Sequence, residues 1–378
     1  LTPDEMRAAV ARRENLILER VRHLVEIESP SGDREASTRI TDVLIEWFGA
    51  LDVQIETVRA EAGTHLLIEA PGTTEEAPLL LIGHSDTVWP SGTLDTSLPW
   101  SVQDGVVRGP GAFDMKSGLV MILSALELLK GRPRRSVRIL INADEEIGSP
   151  TSQDLVRRAV AGAAGAIGFE SPHPDGAFKV GRRGSTRIHV EVTGHEAHAA
   201  LDPDKGVSAI DELVDQLLVL RGIVEEASLS APVLFNVGTV SGGTRANVVP
   251  GQASAEIGLR FLDAVTERAV LERFADLAPV RRGAVVTTKV LSSRPAWKAT
   301  SADAALLREV SLLAEGFGWD ATGRPAAGAG DTNLVGALGV PTIDGFGPAG
   351  AGSHAADEHF LLPDLYRRTA LLAALLQR

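Results

Sequence analysis

The sequence contains no cysteine, which excludes disulfides, thiolate nucleophiles and sulfur-rich zinc sites together. Any metal the chain holds must be bound by His, Asp and Glu. No apolar run approaches the ~20 residues needed to span a bilayer. The G-x-S-x-G elbow of many serine hydrolases is also missing. Positive charge is in deficit: 37 Lys and Arg stand against 50 Asp and Glu, a formal net charge of −13. That balance opposes binding to a phosphate backbone, so neither nucleic acid nor membrane is an expected partner. The densest basic group, Arg132, Arg134, Arg135 and Arg138, lies in a short connector and reads as a solvated surface. The opening LTPDEMRAAV carries no basic-then-apolar signal region, and the cytoplasm is the expected compartment. Internal repeats and low-complexity linkers are absent as well.

What is present is ordinary for a globular chain, with 44% hydrophobic and 23% charged residues. At 378 residues the length exceeds one comfortable core, so two domains are expected. Residues 3–27 read as one amphipathic helix, with Thr2 as N-cap and Pro3 in the first turn. Ser31 and Gly32 break it before a second helix that ends near Ala50. Strand-like runs follow at Val53–Val58, His65–Ala70, Leu79–His84, Val137–Asn142 and Ala166–Glu170, with helical spacing at Met115–Leu129 and near Ser152–Val160. This alternation predicts an α/β domain with a mostly parallel sheet. The character changes near Lys179. Strands at Thr186–Thr193, Val233–Val240, Ala253–Phe261 and Ala284–Val290, with helices at Val207–Val224 and Ala264–Leu277, predict a small α+β, ferredoxin-like insert. After Pro295 the first pattern resumes, with helices at Ala302–Glu315 and Pro363–Leu376. The expected division is 1–180 and 294–378 for one domain and 181–293 for the insert.

Candidate chemistry sits where predicted strands end or helices begin, and in open α/β sheets the ligand crevice lies beyond the strands' carboxyl ends. His84 stands in LLLIGHSDTV with Asp86 two positions on, where Asp86 could take the second ring N–H and fix the imidazole as a metal ligand. Read alone, His84 is as well a hydrogen-bonded loop histidine. Asp114, in GPGAFDMKSG, is either an ion ligand approached through glycines or a helix cap. Glu145 and Glu146, in ILINADEEIGS, are either a metal ligand with a neighbouring general base or first-turn acids favoured by the helix dipole. Glu170 leaves the apolar run GAIGF and needs a partner or a solvated rim. His354 lies in the glycine-rich GFGPAGAGSHAADEHF. Two imidazoles and three carboxylates form a ligand set suited to Zn, Co or Mn.

Taken in order, GHSDTV, GPGAFDMKSG, NADEEIGS, GFE, GHEAHAA, GGTRANVVP, GLRF, GAGDTN and PTIDGFGPAGAGSHAADE resemble the M20 family of dinuclear metallopeptidases. The likeness is greatest to its glutamate carboxypeptidases of the carboxypeptidase G2 type, and it covers most of the chain from residue 80 onward. The resemblance implies that Asp114 bridges two ions, with His84 and Glu170 on one and Glu146 and His354 on the other. It makes Glu145 the general base and implies a cis peptide bond after Asp114. It further implies that the insert is a lid that dimerises, with His198 reaching across the homodimer to the partner's substrate. Asn247 and Arg260 would bind the substrate carbonyl and terminal carboxylate. The HEAH of His195–His198 is one residue short of the helical H-E-x-x-H zinc motif and reads as a turn after a strand.

The activity so implied is hydrolysis of an amide, through water activated by two metals, with release of a C-terminal amino acid from a small peptide or N-acyl amino acid. A glutamate carboxypeptidase needs a second basic group for the side-chain carboxylate. Arg324, ahead of GAGDTN, is one candidate; Lys179, Arg182 and Arg183 are others. In that same motif Asp331 and Asn333 match the family, while Gly330 stands where Ser or Thr is usual. The nearest alternative is an M20 N-acyl-amino-acid deacylase removing an acetyl, succinyl or longer acyl group. A catalytically silent metal-binding protein is a more distant alternative, opposed by the presence of Glu145.

Overall fold

The computed structural model describes residues 1–378, and the chain divides into two compact units. The first comprises Leu1–Gly181, Ala299–Ala326 and Gly330–Arg378; the second comprises Arg182–Lys298 with Ala327–Ala329. The second unit runs past residue 293, the expected end of the insert. Its last strand continues to Arg294, and Trp297 exchanges backbone hydrogen bonds with Arg182.

The first unit is built on a six-stranded sheet in the order Gln54–Arg59, Thr64–Ala70, Val137–Asn142, Leu79–His84, Gly165–Gly168, Thr342–Ile343. The last four strands run parallel to one another, and Thr64–Ala70 pairs antiparallel with both of its neighbours. The expected mostly parallel sheet is therefore mixed. Residues 60–63 alone separate the first two strands, and a link that short permits a hairpin but no crossover. Alternate residues of the central strand serve opposite faces, as the two-residue period requires. Leu79 and Leu81 face one hydrophobic cluster while Leu80 and Ile82 face another. On the first face lies the helix Ser117–Leu128, buried at every position except Glu127. Against that helix pack Pro3–Ala11, Glu14–Glu26 and Leu362–Leu376. Each fully buried aliphatic side chain there contributes about 1.5–3 kcal/mol, which fixes the sheet that carries the site.

The single helix expected over 3–27 is two, Pro3–Ala11 and Glu14–Glu26. The buried stripe Met6, Val10, Ile17, Val21, Leu24 is interrupted where Arg13 and Glu14 would continue it, and the Arg13 N–H closes a tight turn onto Val10 O (2.7 Å). Thr2 does cap the first helix, in a reciprocal box with Glu5. The basic connector is less solvated than expected: Arg135 is buried, and Arg138 donates to Glu69 and to the carbonyls of Ala159 and Ala161.

A smaller four-stranded sheet was not anticipated. Ser101–Gln103 and Val106–Arg108 form a hairpin through Asp104 and Gly105, both at positive φ (51° and 76°), the D-G signature of a type I′ turn. The hairpin pairs with His359–Leu361, which pairs with Gly350–Ala351. These last two strands pin both ends of the loop that carries His354.

The second unit has the element order β-α-β-β-α-β. Its elements are strand Gly184–Thr193, helix Ala209–Ser228, strands Leu234–Gly242 and Gln252–Phe261, helix Ala264–Ala275 and strand Val285–Arg294. Its strands are all antiparallel in the order second, third, first, fourth. Gly184–Thr193 alternates buried and outward residues, and its inward side chains pack with Leu213, Leu220, Val270 and Phe274 of the helices. No helix of the chain is long and apolar enough to cross a membrane.

Candidate metal centre

Three neighbouring parallel strands of the first unit end at the same edge of the sheet. His84 is the last residue of one, Glu145 and Glu146 begin a short turn just past Asn142, and Glu170 follows the strand Gly165–Gly168. Asp114 enters from a tight turn, Ala112–Lys116, that precedes the buried helix and does not cap it. The Asp114–Met115 peptide bond is cis. Local close packing places this turn against the strand. The His84 N–H donates to Met115 Sδ (2.9 Å), and a Cβ at Gly83 would stand 2.6 Å from Met115 Cε. Gly111, at φ 70°, leaves room for Thr87, whose Cγ2 would lie 2.3 Å from an added Cβ.

The side chains converge as two triads that share one residue. His84, Asp114 and Glu170 present ligand atoms within 4.8 Å of one another, and so do Asp114, Glu146 and His354. His84 Nε2 lies 3.3 Å from Asp114 Oδ1 and 3.2 Å from Glu170 Oε1. His354 Nε2 lies 3.4 Å from Asp114 Oδ2 and 3.0 Å from Glu146 Oε2. One oxygen of Asp114 thus faces each histidine. His84 Nε2, Asp114 Oδ1 and Glu146 Oε1 are buried and make no hydrogen bond. Orphaned buried polar atoms are costly unless something else satisfies them. The donor set is all nitrogen and oxygen, and its three carboxylates would offset most of the charge of two dications. The residues fit a dinuclear divalent-metal site.

The electrostatics agree. Burial alone would lower the His84 pKa, yet Asp114, Asp86 and Glu170 together raise it well above the usual histidine value. Asp114 and Glu146 push His354 up to about 10. Burial would raise Asp114, but the two imidazoles hold it well below the usual carboxylate range. Burial and the charge of Asp114 push Glu170 up. Carboxylates crowded around two imidazoles make a site that favours positive charge, as divalent cations would supply.

Asp86 reaches the second ring nitrogen of His84 through its main chain as well as its side chain. The closer partner of His84 Nδ1 is the Asp86 carbonyl oxygen (2.9 Å), with the carboxylate at 3.4 Å. Donating Nδ1–H leaves Nε2 bare for a metal. The Asp86 carboxylate also accepts the backbone N–H of Glu145 (3.1 Å) and Glu146 (3.2 Å) and the hydroxyl of Ser31 (2.6 Å). It therefore fixes the turn that carries the second triad's glutamate. Asp331, in the GAGDTN motif, accepts from Asn142 (2.6 Å) and from Ser149 beneath the same turn. Asn333 binds the N–H of Gly330 (2.9 Å) within its own loop. Glu145 is buried beside Glu146.

Sequence reasoning missed Glu358. It is fully buried, and it accepts N–H groups from Gly111 (3.2 Å), Phe113 (3.0 Å) and Asp114 (3.1 Å) together with the indole of Trp89 (2.5 Å). Burial pushes its carboxyl up to about 7 against the pull of these donors.

The remaining predicted residues fall outside the triads. Arg324 is exposed and doubly hydrogen-bonded to Asp175 (2.7 and 3.1 Å), which engages the guanidinium proposed for a substrate. Lys179 Nζ lies 3.4 Å from Ser171 Oγ, Arg182 donates to Gly328 O, and Arg183 donates to Pro232 O. His198, Asn247 and Arg260 belong to the second unit. The HEAH segment follows a strand and is not helical. His198 pairs as an isolated bridge with Val248, and Asn247 O accepts the N–H of Ala199 (3.0 Å), so these two segments are neighbours. His198 Nδ1 accepts the backbone N–H groups of Ala200 and Leu201, both at 3.2 Å, which leaves Nε2 as the proton-bearing, outward donor. Arg260 donates to Ser185 Oγ. Ser185 is the register partner of both Arg260 and Arg294 on its two flanking strands. Burial and the charge of Arg294 lower the Arg260 pKa. Arg294 was not among the expected binding residues.

The Peptidase_M20 model, describing peptidase family M20/M25/M40, matches residues 80–378. Carboxypeptidase G2 from Pseudomonas sp. is 26% identical over 368 residues, covering 95% of this chain and 88% of that protein. A succinyl-diaminopimelate desuccinylase from Gluconacetobacter diazotrophicus is 30% identical over 325 residues, covering 79% of this chain and 80% of that one. Among solved structures, a tripeptidase from Staphylococcus aureus superposes with a TM-score of 0.75 at 22% identity, covering 96% of this chain and 98% of its own. An M20 family metallo-carboxypeptidase from Sulfolobus solfataricus gives 0.74 at 16% identity, covering 96% and 98%. With the shared fold, the two ligand triads and a family match over most of its length, the chain belongs to peptidase family M20/M25/M40.

Proposed function

We propose that the protein is a two-metal amidohydrolase that cleaves the bond between an acyl group and the nitrogen of an α-amino acid. The observation that carries this reading is the division of Asp114 between two ligand triads, one oxygen toward each. The ligand types favour Zn, with Co or Mn as alternatives. The ions, when bound, supply the charge that makes water acidic near neutral pH and polarises a substrate carbonyl. Glu145 takes the proton of the attacking water and delivers it to the leaving nitrogen. Asp86 is the positioning residue for Glu145, Glu146 and His84. Across a homodimer, His198 donates from Nε2 to the scissile carbonyl oxygen of the partner's substrate, with Asn247 as a second contact to that group. Arg260 binds the carboxylate of the departing amino acid.

Removal of an acyl group from an N-acyl amino acid is the reaction we favour, since several matching relatives are succinyl-diaminopimelate desuccinylases. A second reading, release of a C-terminal Glu or Asp, is favoured by one observation. Arg260 and Arg294 flank Ser185 in register, and two neighbouring guanidinium groups suit a leaving group with two carboxylates. A hydrolysis panel that varies acyl group and amino acid separately tests both. Metal-loaded protein is expected to hydrolyse N-acyl amino acids, and chelation is expected to abolish turnover until a divalent ion is restored. Activity that survives complete metal removal would sink the proposal. Under the second reading, Arg294→Ala raises KM for Glu-releasing substrates by roughly 10–100-fold and leaves Ala-releasing substrates unchanged.

The proposed assembly is a homodimer formed through the second unit. Its strand Leu234–Gly242 lies at a sheet edge with Leu234 and Val240 exposed, and Val214, Leu218 and Val219 stand exposed on the helix Ala209–Ser228. An open edge beside exposed apolar side chains is a usual association surface. Light scattering is expected to give twice the chain mass, and Leu218→Glu combined with Val240→Lys is expected to halve it. A fully active monomer would remove the claim.

A further inference from the structure

The catalytic reading assigns no role to Glu358, yet few side chains in the molecule are so heavily engaged. Its carboxylate lies on the loop between Gly350–Ala351 and His359–Leu361, four residues after His354. Oε1 accepts from the backbone N–H groups of Phe113 and Asp114, and Oε2 accepts from that of Gly111 and from the Trp89 indole. Lys116, buried and donating to Ile27 O, also faces it electrostatically. Each donor lies on the segment carrying Asp114 or on the loop that follows His84.

We propose that Glu358 is a positioning residue for the dinuclear centre, joining the His354 loop to the Asp114 turn through one carboxylate. The inference rests on the two-metal reading of the triads. Asp114 turns one oxygen toward each triad, so the orientation of its backbone would set both metal sites at once. That backbone is held by its own N–H and those of Phe113 and Gly111, all of which end on Glu358. Because the same residue closes the loop of His354, displacing it moves the bridging ligand and a terminal ligand of the second ion together. Only a group with acceptors on both oxygens fits. A glutamine could satisfy Phe113 and Asp114 through its carbonyl, but its amide N–H groups would then face the donors of Gly111 and Trp89.

The test is cobalt binding, read by equilibrium dialysis and by the visible absorption of the bound ion. Wild-type protein is expected to bind two cobalt ions per chain; if it binds none, the two-metal reading fails first and this proposal falls with it. Glu358→Gln is expected to weaken cobalt binding by about 10–100-fold, as for other residues that orient metal ligands, and to alter the absorption bands. Trp89→Phe removes a single donor and is expected to cost several-fold. Introduced into Glu358→Gln it should restore part of the lost affinity, because it removes a donor that the amide opposes. Glu212→Gln, at a buried carboxylate of the second unit that holds Gln216 and the N–H groups of Val280 and Arg281, is the control for lost stability and should leave cobalt affinity unchanged. Folded Glu358→Gln protein with wild-type affinity and spectrum would overturn the proposal. If that variant does not fold, Trp89→Phe decides: unchanged affinity and unchanged bands overturn it.

Discussion

Replacing Glu145 with alanine is expected to leave two ions bound and to lower turnover at least ~100-fold, the usual loss when a general base is removed. The expectation follows from the separation of roles within one short turn. Glu146 reaches His354 in the second triad, whereas Glu145 belongs to neither triad. The turn itself is held through backbone N–H groups that end on Asp86, and these survive truncation of the Glu145 side chain. Metal content by atomic emission should therefore match wild type while kcat collapses. Glutamine at the same position keeps the volume without the basicity and should behave alike. Turnover within a few-fold of wild type would show that another group carries the proton.

Asp114→Asn gives the opposite pattern and the larger structural consequence. Asp114 is the one residue common to both triads, so the loss reaches both ions. An amide offers a single good acceptor and cannot serve His84's side and His354's side equally. Dialysed Asp114→Asn protein is expected to retain neither ion and to show no activity above that of metal-stripped wild type. Glu170→Gln, which touches only the first triad, should lose one ion and keep the other. If Asp114→Asn retained two tightly held ions, the bridging geometry would be wrong and the mechanism with it.

Much of this architecture was legible because the chemistry sits at the ends of conspicuous apolar strands. LLLIGH and VRILIN are buried on both faces, so their composition announces parallel strands, and the ligands follow where those strands stop. The antiparallel edge was less visible. Gln54–Arg59 is largely exposed, and apolar content does not encode strand direction. The hairpin at Asp104–Gly105 had a readable signal in its D-G turn, but its strands have three residues each and give almost no periodicity. Glu358 illustrates a deeper limit. Three of its four partners are backbone N–H groups, which every sequence possesses, and the one side-chain partner, Trp89, lies 269 residues away in sequence. Arg294 escaped for a related reason. Its relation to Arg260 runs across two strand pairings through Ser185, and register is a tertiary property. Arg324 attracted notice by its position along the chain, while its actual partner, Asp175, lies 149 residues away in sequence.

The paired backbone hydrogen bonds between Arg182 and Trp297 bring the two ends of the inserted segment side by side. For the rest of the chain, more than a hundred residues enter and leave as a short turn would, and domains inserted at such closed points are readily tolerated. All five proposed ligands and Glu145 lie outside that segment, while His198, Asn247, Arg260 and Arg294 lie within it. On the proposed assignments, remodelling that one module would change the groups that contact the substrate, His198 among them, while the ligand triads and Glu145 stay as they are.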